Sequence, residues 1–193
     1  MSVSSLIRWG GPAAVVAGAL YVIISLTTLL ALGFSPEKVT SFNLLVRSAI
    51  APVGGVLLLL GLVGLYFRQS EATGVLGLIG FLCAFFGTVL MQAGNPWAGW
   101  LANLGLALFG VSILRAQAYS RMAAVLLIIS AVVTGVVSPL LSGGPVGVLV
   151  YVASAGANLI FSIAIAWMGL NLFTKRDEAA YQPPRERRVS ESP

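Results

Sequence analysis

The chain has 193 residues, 58% hydrophobic and 9% charged, too little polar surface to cover a water-soluble globule of this size. Its net charge of +5 does not describe a nucleic-acid footprint, because five of the eleven basic residues follow Thr174 and the others stand at the ends of apolar runs. There is no histidine, which excludes His-ligated haem and His-based triads, and the single cysteine, Cys83, forms neither a disulfide framework nor a CxxC motif.

The composition fits a lipid bilayer, where a helix needs about 20 apolar residues to cross. The first predicted span is Pro12 to Gly33. Its short basic front and the small pair Ala31 and Gly33 resemble a signal peptide, but an apolar core of about 22 residues exceeds the 7 to 15 of a signal segment, so a retained anchor is expected. The next stretch, "SPEKVTSFNLLVRSAI", begins with a capping residue, Ser35, a proline suited to the first helical position, Pro36, and an acid that complements the helix dipole, Glu37. Val39, Phe42, Val46 and Ala49 recur at spacings of three and four. They predict a short interfacial helix that bends at Pro52 into a second span, Ala49 to Phe67.

The uncharged interval Ala72 to Leu114 would be about 65 Å long as one straight helix, so it must fold back. The break is expected at "AGNP", Ala93 to Pro96: Gly94 and Asn95 can end one helix, Pro96 can start the next, and Trp97 and Trp100 suit the headgroup level. This gives spans at Thr73 to Gln92 and Trp97 to Leu114. The interval Met122 to Thr174 folds back in the same way at "SGGPVG", Ser142 to Gly147, into spans Met122 to Leu141 and Val148 to Phe173. The predicted fold is therefore all-α, an integral membrane bundle of six transmembrane helices with a short interfacial helix after the first span. Residues 1–174 form the membrane domain, and residues 175–193 a charged, proline-containing cytoplasmic tail that cannot bury a core and is expected to be disordered.

Charge placement leaves the crossing count open. Six spans with an inside N-terminus put nine of the eleven basic residues in the cytoplasm, leaving Lys38 and Arg47 outside. Five spans with an outside N-terminus also put nine inside. Six is preferred because an uncharged 18-residue helix, Trp97 to Leu114, would need shelter from water if it failed to cross.

No ionisable residue lies within any predicted span, so a proton relay, voltage sensor or acid–base enzyme lacks its groups, and neither catalysis nor a metal or other cofactor is expected. The spans do carry small and weakly polar residues in register. Gly77, Gly80, Ala84 and Gly87 form a smooth stripe of the kind that lets helix backbones approach closely. Ser130, Thr134 and Ser138 share one helix face, Ser154, Asn158 and Ser162 another, and Asn103 lies in the fourth span. These polar residues either bond helix to helix or line a cavity for a neutral substrate.

Two segments, "GLVGLYFRQSEATGVLGLIG" and "GVSILRAQAYSRMAAVLLII", each run helix, Arg, short polar turn, helix, and make a faint parallel repeat such as occurs in transporters. The segment "GLVGLYFRQSEATGVLGLIGFLCAFFGTVL", together with "RWGGPAAVVAGALYVIISL" in the first span, resembles a pattern in small, uncharacterised bacterial integral membrane proteins. That resemblance implies a bacterial inner membrane and a helical bundle, and it carries over no substrate or catalytic residue.

The expected function is a non-catalytic helix-packing or accessory subunit, associating with copies of itself or another membrane protein through the Gly77 to Gly87 stripe. The alternative is a passive carrier or channel for a small neutral or lipophilic molecule, lined by Ser130, Thr134, Asn158 and Ser162. Both place a multi-pass protein in the bacterial plasma membrane with both termini cytoplasmic and no nucleic-acid partner.

Overall fold

The computed structural model describes residues 3–30, 36–95, 97–116, 120–137 and 147–180, with side chains at 8–30, 48–95, 97–116, 120–137 and 152–174. The described residues are almost all helical, with a turn around 93–97 and no strand among them. In chain order the helices are α1 (Val3–Leu30), α2 (Pro36–Gln92), α3 (Ala98–Ala116), α4 (Arg121–Val132), which runs on into a π-helical turn (Val133–Val137), and α5 (Gly147–Ala180). The "SGGPVG" break up to Val146, Ser138 and residues 181–193 of the tail lie outside the described residues.

α2 is not one rod. Gly74 within it has φ 57° and ψ −152°, a conformation essentially reserved for glycine, and the chain reverses there. A straight helix would hold Ala51 and Gln92 about 60 Å apart. Instead the Gln92 side-chain amide donates to the Ala51 carbonyl oxygen at 3.0 Å, and the rings of Tyr66 and Phe81 stack at 4.5 Å. The predicted turn at residues 68–72 is therefore displaced. Helical backbone runs through Arg68 and Gln69 to Thr73, whose hydroxyl donates to the Gln69 carbonyl oxygen at 3.0 Å, and the reversal falls at the one residue without a Cβ. The expected separate interfacial helix is also revised: residues 36–47 are helical but belong to α2, and Pro52 lies inside that helix with no non-helical backbone beside it.

By length and apolar composition four stretches qualify as membrane crossings: Arg8–Leu30, Ser48–Gln92, Ala98–Ala116 and Val152–Thr174. That is fewer than the six expected. The Arg121–Val137 stretch is apolar but shorter, and Ser48–Gln92, with 45 residues, holds both arms of the α2 hairpin.

The helices form a ring, with α1 packed on α2 and α5, α2 on α3, α3 on α4 and α4 on α5. Small residues set the approach. A methyl on Gly10 would meet the Gly64 Cα at 2.6 Å, one on Gly18 the Ser162 carbonyl oxygen at 2.6 Å, and one on Gly169 the Gly11 carbonyl oxygen at 2.8 Å. α1 thus sits backbone to backbone against the first arm of α2 and against α5, a contact that helices in lipid achieve only through small side chains.

Arg8, Arg68, Arg115 and Arg121 all stand at one end of this ring, which is called the basic end below. The Arg68 guanidinium donates to the Leu172 carbonyl oxygen at 3.0 Å, joining α2 to α5 there. Among the residues whose side chains are described, none at the opposite end is charged, and on that basis alone it is called the neutral end below.

Gly74 and Gly99 test the origin of the hairpin, because neither has any atom within 4 Å of an added methyl and only Gly74 has a positive φ. Gly74→Ala is expected to lower stability by about 1–3 kcal/mol. Gly99→Ala should leave it unchanged or raise it by up to about 1 kcal/mol. Thermal unfolding in detergent reads both.

Candidate functional site

The stretch from Met91 to Gly105 is a turn with a polar residue just beyond it. Gly94, at φ 83°, ends α2: its N–H donates to the Met91 carbonyl oxygen at 3.1 Å, and the Asn95 N–H donates to the Leu90 carbonyl oxygen at 3.0 Å. Asn95 then caps α3, its Oδ1 accepting the Trp97 N–H at 3.0 Å. Trp97 is largely exposed beside the turn. Pro96 lies outside the described residues.

The stripe Gly77, Gly80, Ala84 and Gly87 is buried inside the chain. A methyl on Gly80 would meet the Phe109 backbone nitrogen at 2.5 Å, one on Gly87 would overlap Ala102, and one on Gly105 would overlap Ala84. The stripe is the contact between the second arm of α2 and α3, and is not available to another chain.

The polar residues divide. Asn103, Ser130, Thr134 and Asn158 converge on one cavity of about 240 Å³ in the neutral half of the ring, together with Tyr21, Thr88, Met91 and Phe161. A second cavity of about 310 Å³ is lined by Ser154 and Asn158 with Tyr21, Ser25, Thr28 and Met91. The two share Tyr21, Met91 and Asn158 as their common wall. Ser162 lines neither. It is fully buried, its hydroxyl donates to the Asn158 carbonyl oxygen at 2.6 Å, and its own carbonyl oxygen is where α1 comes closest at Gly18. Ser162 therefore belongs to the α1–α5 contact rather than to the polar lining.

Most of the lining hydroxyls are already engaged with their own helices. Ser130 donates to the Leu127 carbonyl oxygen at 2.8 Å, and Thr88 to that of Ala84 at 2.7 Å. The Thr134 hydroxyl lies 2.7 Å from both the Ser130 carbonyl oxygen and Asn103 Oδ1, so its one proton is divided between two acceptors. The Asn103 amide nitrogen donates to the Gly99 carbonyl oxygen at 2.8 Å, which fixes its oxygen toward Thr134. This α3–α4 bridge coincides with the π-helical turn at Val133–Val137, a feature frequent at functional sites, and Gly135 in that turn would place a methyl 2.9 Å from Asn103 Cβ.

The groups left for a ligand are few. The Asn158 amide nitrogen donates to the Ser154 carbonyl oxygen at 2.9 Å, leaving a second N–H and Oδ1 without a partner among the described residues. The Tyr21 hydroxyl makes no hydrogen bond to a described residue, while its ring stands edge-on to Phe161 at 6.3 Å. The site presents one amide and one phenol with open hydrogen-bonding positions, set among engaged polar side chains and apolar ones, with no carboxylate or ammonium among the lining residues. Tyr21, Thr88 and Met91 were not singled out by sequence. Thr88 and Met91 stand one turn apart on the second arm of α2, and only the ring brings Tyr21 of α1 beside them.

No protein-family model matches the chain, and no characterised protein or solved structure does either.

The Asn103–Thr134 bridge predicts measurable coupling. In a double-mutant cycle on Asn103→Ala and Thr134→Val, thermal unfolding should return an interaction of about 0.6–1.7 kcal/mol, the range for hydrogen bonds between membrane helices.

Proposed function

We propose that this protein is a non-catalytic, six-span bundle that binds a small neutral, amphipathic molecule in its neutral half and passes it passively across a bacterial inner membrane, both termini being cytoplasmic. The observation that carries the reading is the convergence of Asn103, Ser130, Thr134 and Asn158 on one cavity beside the Tyr21 hydroxyl. Four helices supply those five side chains, so the chamber comes from the ring as a whole.

The chemistry of the wall sets the ligand class. A charged ligand finds no counter-ion there, and leaving a charge unpaired in such a site is costly. A neutral molecule with one donor and one acceptor matches the unfilled positions of Asn158 and Tyr21, and the apolar lining takes the rest of it. At about 30 Å³ per water, each cavity holds the volume of roughly eight to ten waters, enough for a small alcohol, amide or short-chain ester.

The reading as an accessory subunit has weaker support, because the Gly77 to Gly87 stripe meant to carry it faces α3. The exposed large apolar side chains elsewhere, such as Leu30, Val75 and Leu104, are what any lipid-facing surface presents.

Six crossings follow from reading both α2 arms and Arg121–Val137 as spans, and the positive-inside rule then puts the basic end in the cytoplasm. A reporter fused near Ser70 should read cytoplasmic. An external signal would point to five spans instead.

Native mass spectrometry after gentle extraction should find a neutral small molecule bound one to one, and it should be missing from Asn158→Leu/Thr134→Leu. A protein partner at fixed stoichiometry with empty cavities would return the function to the accessory reading.

A further inference from the structure

One buried polar group has no role in the packing described so far. Gln69, in the first arm of α2, is 2% exposed, and neither its Nε2 nor its Oε1 has a hydrogen-bond partner among the described residues. Buried amides are almost always bonded, and an apolar residue of similar shape would be more stable in such surroundings. Its retention points to a partner in another state of the protein.

The position of Gln69 suggests what that partner is. Leu58, Leu62, Leu65, Gln69 and Thr73 recur at spacings of three and four and are all buried, so they form one inward face of the arm. Leu58 lines the cavity, and Gln69 lies about 16 Å further along the same face toward the basic end. Between them is a dry layer: Leu62, Leu65, Phe109, Ile113, Leu127 and Met168 are all essentially inaccessible. On α3, α4 and α5 these plug residues likewise come one or two turns past the cavity lining, so the layer extends across the ring.

Beyond the layer the chain becomes polar again. Thr73 and Ser112 both border Gly77, where an added methyl would overlap Thr73 and come within 3.4 Å of Ser112 Oγ. Their protons are committed to the Gln69 and Phe109 carbonyl oxygens, so they offer lone pairs, while Gln69 offers two N–H groups and an acceptor. Arg68, next to Gln69 in sequence, and Arg115, one turn after Ser112, are both exposed and mark the basic surface.

We propose that Gln69 is an inner hydrogen-bonding station on the solute path, shut off from the cavity in this state by the Leu62–Leu65–Phe109 layer and open to the basic face in another. This rests on the carrier reading above, and it gives the path two polar stations of matching chemistry: Asn158 with Tyr21 on the neutral side, and Gln69 with Thr73 and Ser112 on the basic side. The same neutral solute, one donor and one acceptor, suits both.

The test needs no knowledge of that solute. Cys83 is the only cysteine, so Cys83→Ala provides a blank background. Single cysteines at Thr134, Leu65 and Gln69 in sealed vesicles of defined orientation are then challenged from each face with a charged, membrane-impermeant maleimide. Thr134→Cys should label from the neutral face, and Gln69→Cys from the basic face at least tenfold faster than Leu65→Cys. Labelling of Gln69→Cys no faster than the Leu65 control, or only from the neutral face, overturns the inner station and leaves the cavity reading standing. Failure of Thr134→Cys to label from the neutral face instead removes the cavity reading itself. In the full chain, Gln69→Leu should raise the Tm. A lowered Tm would show that the amide has a structural partner and would overturn the proposal.

Discussion

The architecture depends on how closely α1 approaches its two neighbours. In a bilayer no water is present to drive helices together, so association rests on packing and on hydrogen bonds, and packing is strongest where backbones touch. Gly10 against Gly64, Gly18 against Ser162 and Gly169 against Gly11 bring α1 to that distance on both sides. With α1 held between α2 and α5 the ring closes, and closure sets Tyr21 edge-on to Phe161 and beside Asn158. A larger residue at any of these glycines would therefore alter the chamber without touching its lining.

The same solvent explains why so much polar chemistry in the lining is used up locally. A serine or threonine hydroxyl in lipid has its own helix carbonyl three or four residues back as the nearest acceptor, and Ser25, Thr27, Thr28, Thr88, Ser112 and Ser130 all use it. Asparagine and glutamine carry two donors and an acceptor, and one carbonyl cannot satisfy them. Asn103 finds Thr134 across the helix contact, Gln92 reaches Ala51 across the hairpin, and Asn158 and Gln69 keep capacity in reserve. The amide side chains of Gln69, Gln92, Asn103 and Asn158 therefore distinguish one region of the interior from another.

Much of this was legible in the residues. The uncharged interval from Ala72 to Leu114 is too long for one crossing, and its Gly94–Asn95 pair is where the chain turns. The cavity grouping of Asn103, Ser130, Thr134 and Asn158 follows from helix periodicity once the helices are set in a ring. Partner choice was not legible. A stripe of small residues shows that something packs closely there, and Gly77 to Gly87 found α3 in the same chain. Gly10, Gly61 and Gly64 do equivalent work between α1 and α2, yet their spacing does not say which face meets which. Gln69 was hidden for a different reason: polar neighbours on both sides make "RQSEAT" look like a wet loop, whereas the helix continues to Thr73 and carries the amide inside. Ser162 misled because each step of four residues turns a helix face by about 40°, enough over two steps to move from the chamber to the α1 contact.

The turn between α2 and α3 bears on how such a chain is made. In the proposed orientation this turn is on the outer side and must be carried through the hydrocarbon during synthesis. Bare peptide groups oppose that passage. Here the N–H groups of Gly94, Asn95 and Trp97 are already bonded to Met91, Leu90 and the Asn95 side chain. Those three N–H groups thus have no hydration to shed, although the tip itself is exposed. With the close contact of Gly80, Gly87 and Gly105 along their length, the second arm of α2 and α3 make a hairpin that can pair before the rest of the ring is in place.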